Sequence, residues 1–173
     1  MPRFRIVPER SRVWIEASSS VHPIHGECEG LSGFIDAAFD GDAVHLSSTP
    51  EISVELPVER LRSGNRLEDA EMMRRIDARR YPTIRGVVRY MEPQGVDGRY
   101  VVTGDLTFHG VTQTVEGEVT VSRPDDRTLV IEGEREFDIR DFKVQPPRIL
   151  MLKVHPEVKV RIRVEAVQRK PPS

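Results

Sequence analysis

The sequence predicts an all-β domain with one short helical insert, and three observations predict it. Residues 157–166 alternate without a break: Val158, Val160, Ile162, Val164 and Ala166 are separated by Glu157, Lys159, Arg161, Arg163 and Glu165. A strand has a side-chain period of two, so this segment puts its apolar groups on one face and its charges on the other. The same rhythm returns along most of the chain, between turn signals. Only residues 65–80 switch to helical spacing. Many such strands make an apolar interior and a charged exterior, as a filled barrel or sandwich or as a barrel with an apolar cavity. Period alone does not choose between them.

Composition narrows the function classes. A chain of 173 residues suits one domain, and we place it at residues 1–168 with a flexible polar tail at 169–173. A chain this long buries roughly 70% of its unfolded surface. A formal net charge of -2 and 6% aromatic residues do not point to nucleic acid. The one cysteine, Cys28, cannot form an internal disulfide, which fits a reducing compartment. The first residues, Met1-Pro2-Arg3-Phe4-Arg5-Ile6, lack the apolar core of a secretory signal, and with Met1 as the native start the expected location is cytoplasmic. No stretch reaches the roughly 20 apolar residues of a membrane-spanning helix.

The elements follow in order. Val13, Ile15 and Ala17 alternate around Trp14 on a first strand. Residues 33–39 and 43–47 suggest a less regular hairpin. Residues 51–58 place Ile52, Val54, Leu56 and Val58 on one face, with Pro57 marking an edge or a strand end. Residues 65–80 carry Leu67, Ala70, Met73 and Ile76 near helical spacing, with Asn65 or Asp69 as the cap and Tyr81-Pro82 as the stop. Residues 84–90 form the next strand, and Glu92-Pro93-Gln94-Gly95 and Asp97-Gly98 supply turns. Tyr100, Val102, Leu106 and Phe108 follow at even spacing, and His109-Gly110 turns the chain. Val115, Val119 and Val121 continue, Pro124-Asp125-Asp126 turns again, and Leu129, Ile131, Phe137 and Ile139 precede the closing segment.

At this level the chain resembles the YceI-like family, polyisoprenoid-binding proteins with a lipocalin-like barrel. The segment Gly104-Asp105-Leu106-Thr107-Phe108-His109-Gly110-Val111-Thr112 is the most specific match. Residues 4–13 resemble the family opening, and Gly33-Phe34 with Gly41 its small-residue and aromatic pattern. Residues 65–84 resemble the family's helical insert with its Tyr-Pro exit, and Ile139-Arg140-Asp141-Phe142 a late family step. Val7 and Arg10 replace the family's usual Asp and His, and residues 143–155 lack its usual glycines. The resemblance implies a single antiparallel lipocalin-like β-barrel that holds a long isoprenoid chain.

On that reading the cavity lining is Ile52, Val54, Leu56, Val102, Leu106, Phe108, Val119, Val158, Val160 and Ile162. An eight-stranded barrel can just hold one small ligand or be filled by side chains. Each buried CH₂ contributes about 0.8 kcal/mol, so a long apolar tail binds without any hydrogen bond. The ligand class is a polyisoprenoid or an isoprenoid quinone, and no cofactor is required. Strand phase predicts few ionisable groups inside, Arg135 being the main exception. The charged exterior, with Lys159, Arg161 and Arg163, argues against a membrane-embedded barrel.

Other candidates weigh less. His22, His25 and Cys28 are zinc-ligand types, but their spacing offers no fourth ligand. His109 reads as a turn histidine bonded within its own hairpin, and His45 and His155 carry no signal. Arg60, Arg62, Arg66, Arg74, Arg75, Arg79 and Arg80 could meet a diphosphate or an anionic surface. The interleaved Glu59, Glu68, Asp69, Glu71 and Asp77 favour a solvated, salt-bridged face instead. No catalytic motif is present, and Asp138, Arg140 and Asp141 lack a nucleophile or base. The expected protein is therefore a non-catalytic lipid carrier. Two alternatives stay open: a filled barrel serving stress or protein interaction, with Trp14, Phe34 and Phe108 pointing inward, and an enzyme working at the barrel mouth. Edge strands leave a homodimer open.

Overall fold

The structure, a computed structural model, describes residues 1–149 and 152–169. The tail expected at 169–173 falls almost wholly outside them. Eight antiparallel positions close into one barrel. We label them β1 (Arg3–Ile6 and Arg12–Ser19), β2 (Pro23–Cys28 and Ser32–Asp36), β3 (Glu51–Pro57 and Leu61–Arg62), β4 (Thr83–Pro93), β5 (Arg99–Phe108), β6 (Val111–Ser122), β7 (Thr128–Asp138) and β8 (Leu152–Gln168). The first three bend at an interruption; in β1 and β3 it is a 3-10 turn, at Pro8–Arg10 and Val58–Arg60. Closure comes from β8, which pairs β7 along one edge and both halves of β1 along the other. The first half of β2 went unread because Pro23, His25 and Gly26 hide its alternation, although Ile24 and Cys28 keep the inward phase.

The helical insert, α1 (Arg66–Ile76), starts as its sequence predicts. Asn65 Oδ1 accepts from the backbone N–H of Leu67 at 3.0 Å and of Glu68 at 3.1 Å, satisfying two otherwise unpaired donors. Asp69, the other candidate cap, instead accepts from the backbone N–H and hydroxyl of Ser63. The helix stops at Asp77, which adopts the left-handed conformation at φ 55°, before the Tyr81-Pro82 step. Ile139 leaves its predicted strand for a 3-10 turn, Ile139–Phe142.

The outer surface repeats the alternation as cross-strand ion pairs. Arg163 Nη1 donates to Glu132 at 2.7 Å and Lys159 Nζ to Glu134 at 2.7 Å. Arg161 stacks over Trp14 at 4.5 Å, so Trp14 faces outward. Phe34 also faces outward, beneath Arg3 at 4.0 Å.

The two ends of the barrel differ. One end, where the β4–β5 and β6–β7 turns lie, is solid: Phe4, Ile6, Ile35, Ile52, Met91, Tyr100, Val121, Leu129 and Ala166 are all buried in one cluster. A small hairpin, Phe39–Asp40 and Ala43–Val44, packs across it. Phe39 meets Phe4 edge-on at 5.7 Å, and the Val44 N–H donates to the Tyr100 hydroxyl at 2.9 Å. At the other end a second cluster of Val58, Ile76, Phe142 and Val144 joins α1 to the segment after β7 and roofs the barrel.

Candidate functional site: a half-barrel cavity beneath the helical insert

Between the solid end and the roof lies an apolar cavity of about 370 Å³. It is more than twice the size of an engineered ~150 Å³ apolar cavity that binds benzene, and it falls within the range of natural ligand sites. Three inward-facing strand positions in its wall are glycines: Gly26 opposite Ile15, Gly117 opposite Val102 and Gly133 opposite Ile162. At the solid end, by contrast, inward positions carry the large buried side chains of Ile35, Tyr100 and Leu129. At Gly26 and Gly117 a Cβ would meet only ordinary contacts, at 3.6 Å and 3.7 Å, so the side chains missing at these two positions leave part of the cavity open.

Seven of the ten residues assigned to the lining reach this cavity: Leu56, Leu106, Phe108, Val119, Val158, Val160 and Ile162. Ile52, Val54 and Val102 do not. They face inward, as their phase requires, but belong to the packing around the solid end. Strand phase reports the face a side chain takes and not its height along the barrel axis. Sequence reasoning missed Val13, Ile15, Ile24 and Leu61 in the wall, all inward by the same alternation. It also missed the roof, where Met72 and Ile76 of α1 meet Phe142, Val144 and Pro147.

More ionisable groups border the cavity than phase predicts: beside Arg135 stand Glu68, Arg75, Glu118, Glu134 and His155. Two irregularities explain three of them. The β6–β7 ladder ends at Val119↔Gly133 although both strands continue, so the strands part there and Glu118 and Glu134 border the gap. Arg135 spans it: its Nε donates to the Glu116 carbonyl at 2.8 Å, and its guanidinium lies 4.4 Å from the Phe137 ring centre. In β8 the register slips between Val154 and Val158, which brings His155 to the rim with Nδ1 2.9 Å from the Ser18 hydroxyl. Glu68 and Arg75 come from the helix.

The remaining candidates separate in space. Cys28 is fully buried and faces inward, whereas His25 faces outward beside Glu16, so the His22, His25 and Cys28 set does not converge. Burial pushes the Cys28 thiol up to about 11. His109, at φ 54°, donates from Nδ1 not within its own hairpin but across to the Phe142 carbonyl at 3.1 Å, with its ring 4.8 Å from that of Tyr81. It therefore ties the β5–β6 turn to the roof. A side chain at Gly110 would strike the Tyr81 ring at 2.7 Å, so the His-Gly turn packs directly against the Tyr-Pro exit of the insert. Asp138 is held below the usual carboxylate range by Arg140, which donates to it at 2.7 Å, and serves as the cap of the 3-10 turn. No helix of the described residues is long and apolar enough to cross a membrane.

Comparison with known proteins bears on the same region. Among solved structures, BcnA of Burkholderia cenocepacia is similar over 94% of this chain and 99% of its own, with 22% identity and a TM-score of 0.78. A polyisoprenoid binding domain from Saccharophagus degradans, implicated in plant cell wall breakdown, is similar over 98% of this chain and 100% of its own, with 12% identity and a TM-score of 0.75. The Campylobacter jejuni YceI protein covers 84% of this chain and 85% of its own, with 18% identity and a TM-score of 0.66. At these identities the likeness speaks for the fold. A search of curated proteins returned no match. The family model of the YceI-like domain matches residues 4–166, nearly the whole barrel, and the chain belongs to that family.

Proposed function

We propose that this protein binds and carries a long apolar lipid, a polyisoprenoid or an isoprenoid quinone, inside the open half of its barrel and without chemistry of its own. The observation that carries this reading is the glycine-hollowed cavity itself. A protein shaped only for stability gains by filling such a space, since burying one more Leu or Phe contributes about 1.5–3 kcal/mol. Membership of a family with a polyisoprenoid-binding relative supports the choice of ligand. The reading requires no cofactor and assigns no residue to bond making. A cytoplasmic setting and a paired barrel remain compatible with it.

The filled-barrel alternative needed Trp14, Phe34 and Phe108 inside together. Trp14 and Phe34 lie outside, and Phe108 stands in the cavity wall. Native mass spectrometry of freshly purified protein, followed by organic extraction, tests the carrier reading. The expected result is a bound mass in the range of a polyprenyl or quinone species, or uptake of such a lipid by extracted protein. A clean apo mass that persists after incubation with prenols and quinones would sink it.

A further inference from the structure

At one place a strand ladder does not close the cavity wall. β6 and β7 pair from Ser122↔Val130 to Val119↔Gly133 and then part, although β6 reaches back to Val111 and β7 runs on to Asp138. Each keeps its other neighbour along this stretch: β6 stays paired with β5 as far as Val111, and β7 with β8 as far as Asp138. The parting is therefore a seam between two strands that are each held from behind. One end of the seam is the Val119↔Gly133 pair. The other is crossed by Gln113 Nε2, which donates to the Asp141 carbonyl at 2.9 Å. The cavity reaches the seam, for Gly117, Glu118, Gly133, Glu134 and Arg135 all border it.

The Arg135 side chain lies across the opening. Its Nε donates to the Glu116 carbonyl of β6 at 2.8 Å, and its Nη1 to the Glu136 carbonyl of β7 at 3.0 Å. In the register set by Val119↔Gly133, Glu116 and Glu136 would stand opposite each other. The guanidinium thus takes the place of the backbone bonds that this pair would have exchanged. A Cβ at Gly117 would stand 3.7 Å from Arg135 Cδ, so the arginine stem covers the spot where Gly117 has no side chain. The other ends of the cavity are shut by packing. The solid end buries Phe4, Ile35 and Leu129, and the roof buries Val58, Ile76, Phe142 and Val144. Opening either end brings buried apolar groups into water. Releasing Arg135 exchanges two hydrogen bonds for bonds to water and breaks no ladder.

We propose that the β6–β7 seam is the side opening through which the apolar ligand enters and leaves the cavity, with Arg135 as its latch. This deepens the carrier reading and rests on it: the cavity holds the chain, and the seam sets how fast the chain exchanges.

The experiment follows uptake of geranylgeraniol by lipid-extracted protein, and its release to excess phosphatidylcholine vesicles, by rapid mixing and native mass spectrometry. Glu116 and Glu136 are exposed, so a Glu116→Cys/Glu136→Cys variant can be bridged across the seam with a reducible bis-thiosulfonate, while Cys28 stays buried. Bridging is expected to slow uptake and release by at least about tenfold, as for a lid held shut, and reduction of the same sample to restore both. Arg135→Ala is expected to quicken uptake as well as release by about tenfold, since each lost hydrogen bond is worth a factor of roughly two to ten. Uptake and release that are unchanged by bridging overturn the side opening and leave the carrier reading standing, because the prenol still binds. An Arg135→Ala protein that quickens release alone makes Arg135 a wall contact and overturns its role as latch. Failure of wild-type protein to take up the prenol overturns both the seam and the carrier reading.

Discussion

Replacing Gly26 by Leu tests whether the cavity is real and whether it is the binding space. A Cβ at Gly26 would stand 3.6 Å from the Arg62 carbonyl oxygen, 3.8 Å from Leu61 Cδ1 and 4.0 Å from Ile15 Cβ, all ordinary contacts. The backbone there is ordinary strand, and the new side chain points into about 370 Å³ of apolar space. Burying a Leu contributes about 1.5–3 kcal/mol. Removing a strand glycine adds about 0.5–1 kcal/mol, and ordering the Leu costs a similar amount. The lipid-extracted variant should therefore be about 2 kcal/mol more stable, a rise in Tm of roughly 4–8 °C for a domain of this size. It should also lose affinity for geranylgeraniol, because the added side chain occupies the tail's space. Gly133→Ala is the contrasting control. Its Cβ would meet the Glu118 carbonyl oxygen and Val119 Cγ1 at 3.1 Å each, so overpacking should cost about 1–3 kcal/mol. Thermal melts and prenol titrations read both variants. A Gly26→Leu protein that melts lower than the wild type yet binds the prenol normally would refute the reasoning, for the cavity would then be neither empty nor used.

Three further outcomes follow from the packing and the charges. Ile35→Ala, at a 1% exposed position of the solid end, should cost about 2–5 kcal/mol in denaturant unfolding and leave prenol affinity intact, and a large loss of affinity would argue against two separate ends. Cys28, buried and with its thiol pushed up to about 11, should resist a disulfide reagent at pH 8 in the folded protein and react once denaturant opens the barrel, so rapid native labelling would contradict the packing. Asp36, Asp105 and Asp138 are held below their ordinary values by Arg3, Arg89 and Arg140. Their contribution is present in full above the unfolded-state value of about 4 and is lost as pH falls through the lower folded values. Stability should therefore decline below about pH 4, and Asp36→Asn should flatten that decline; an unchanged acid limb would assign the loss to other groups.

Much of the site was legible before any coordinates. Alternation marked the inward face of most long strands, and seven of ten lining assignments reach the cavity for that reason. Ile52, Val54 and Val102 share the phase but sit too far toward the solid end, and height along the axis depends on how strands stagger when the barrel closes. His155 and Glu118 carried no periodic signal because a register slip in β8 and the parting of β6 from β7 set their positions. His109 was legible as a turn residue, yet its partner, the Phe142 carbonyl, lies 33 positions away. The crowd of arginines around α1 was visible as composition.

By itself the sequence determined the class of fold, the inward and outward faces, the capped helix and its exit, and the family. These are local properties, set by side-chain periods of two and 3.6 and by short-range hydrogen bonds and turn chemistry. Only the tertiary structure decided that one half of the barrel is solid and the other hollow. That outcome depends on which inward residues meet at the same level, so that Gly26, Gly117 and Gly133 surround one space while Ile35, Tyr100 and Leu129 fill another. Pairing register across distant strands sets those levels, and no single strand encodes it.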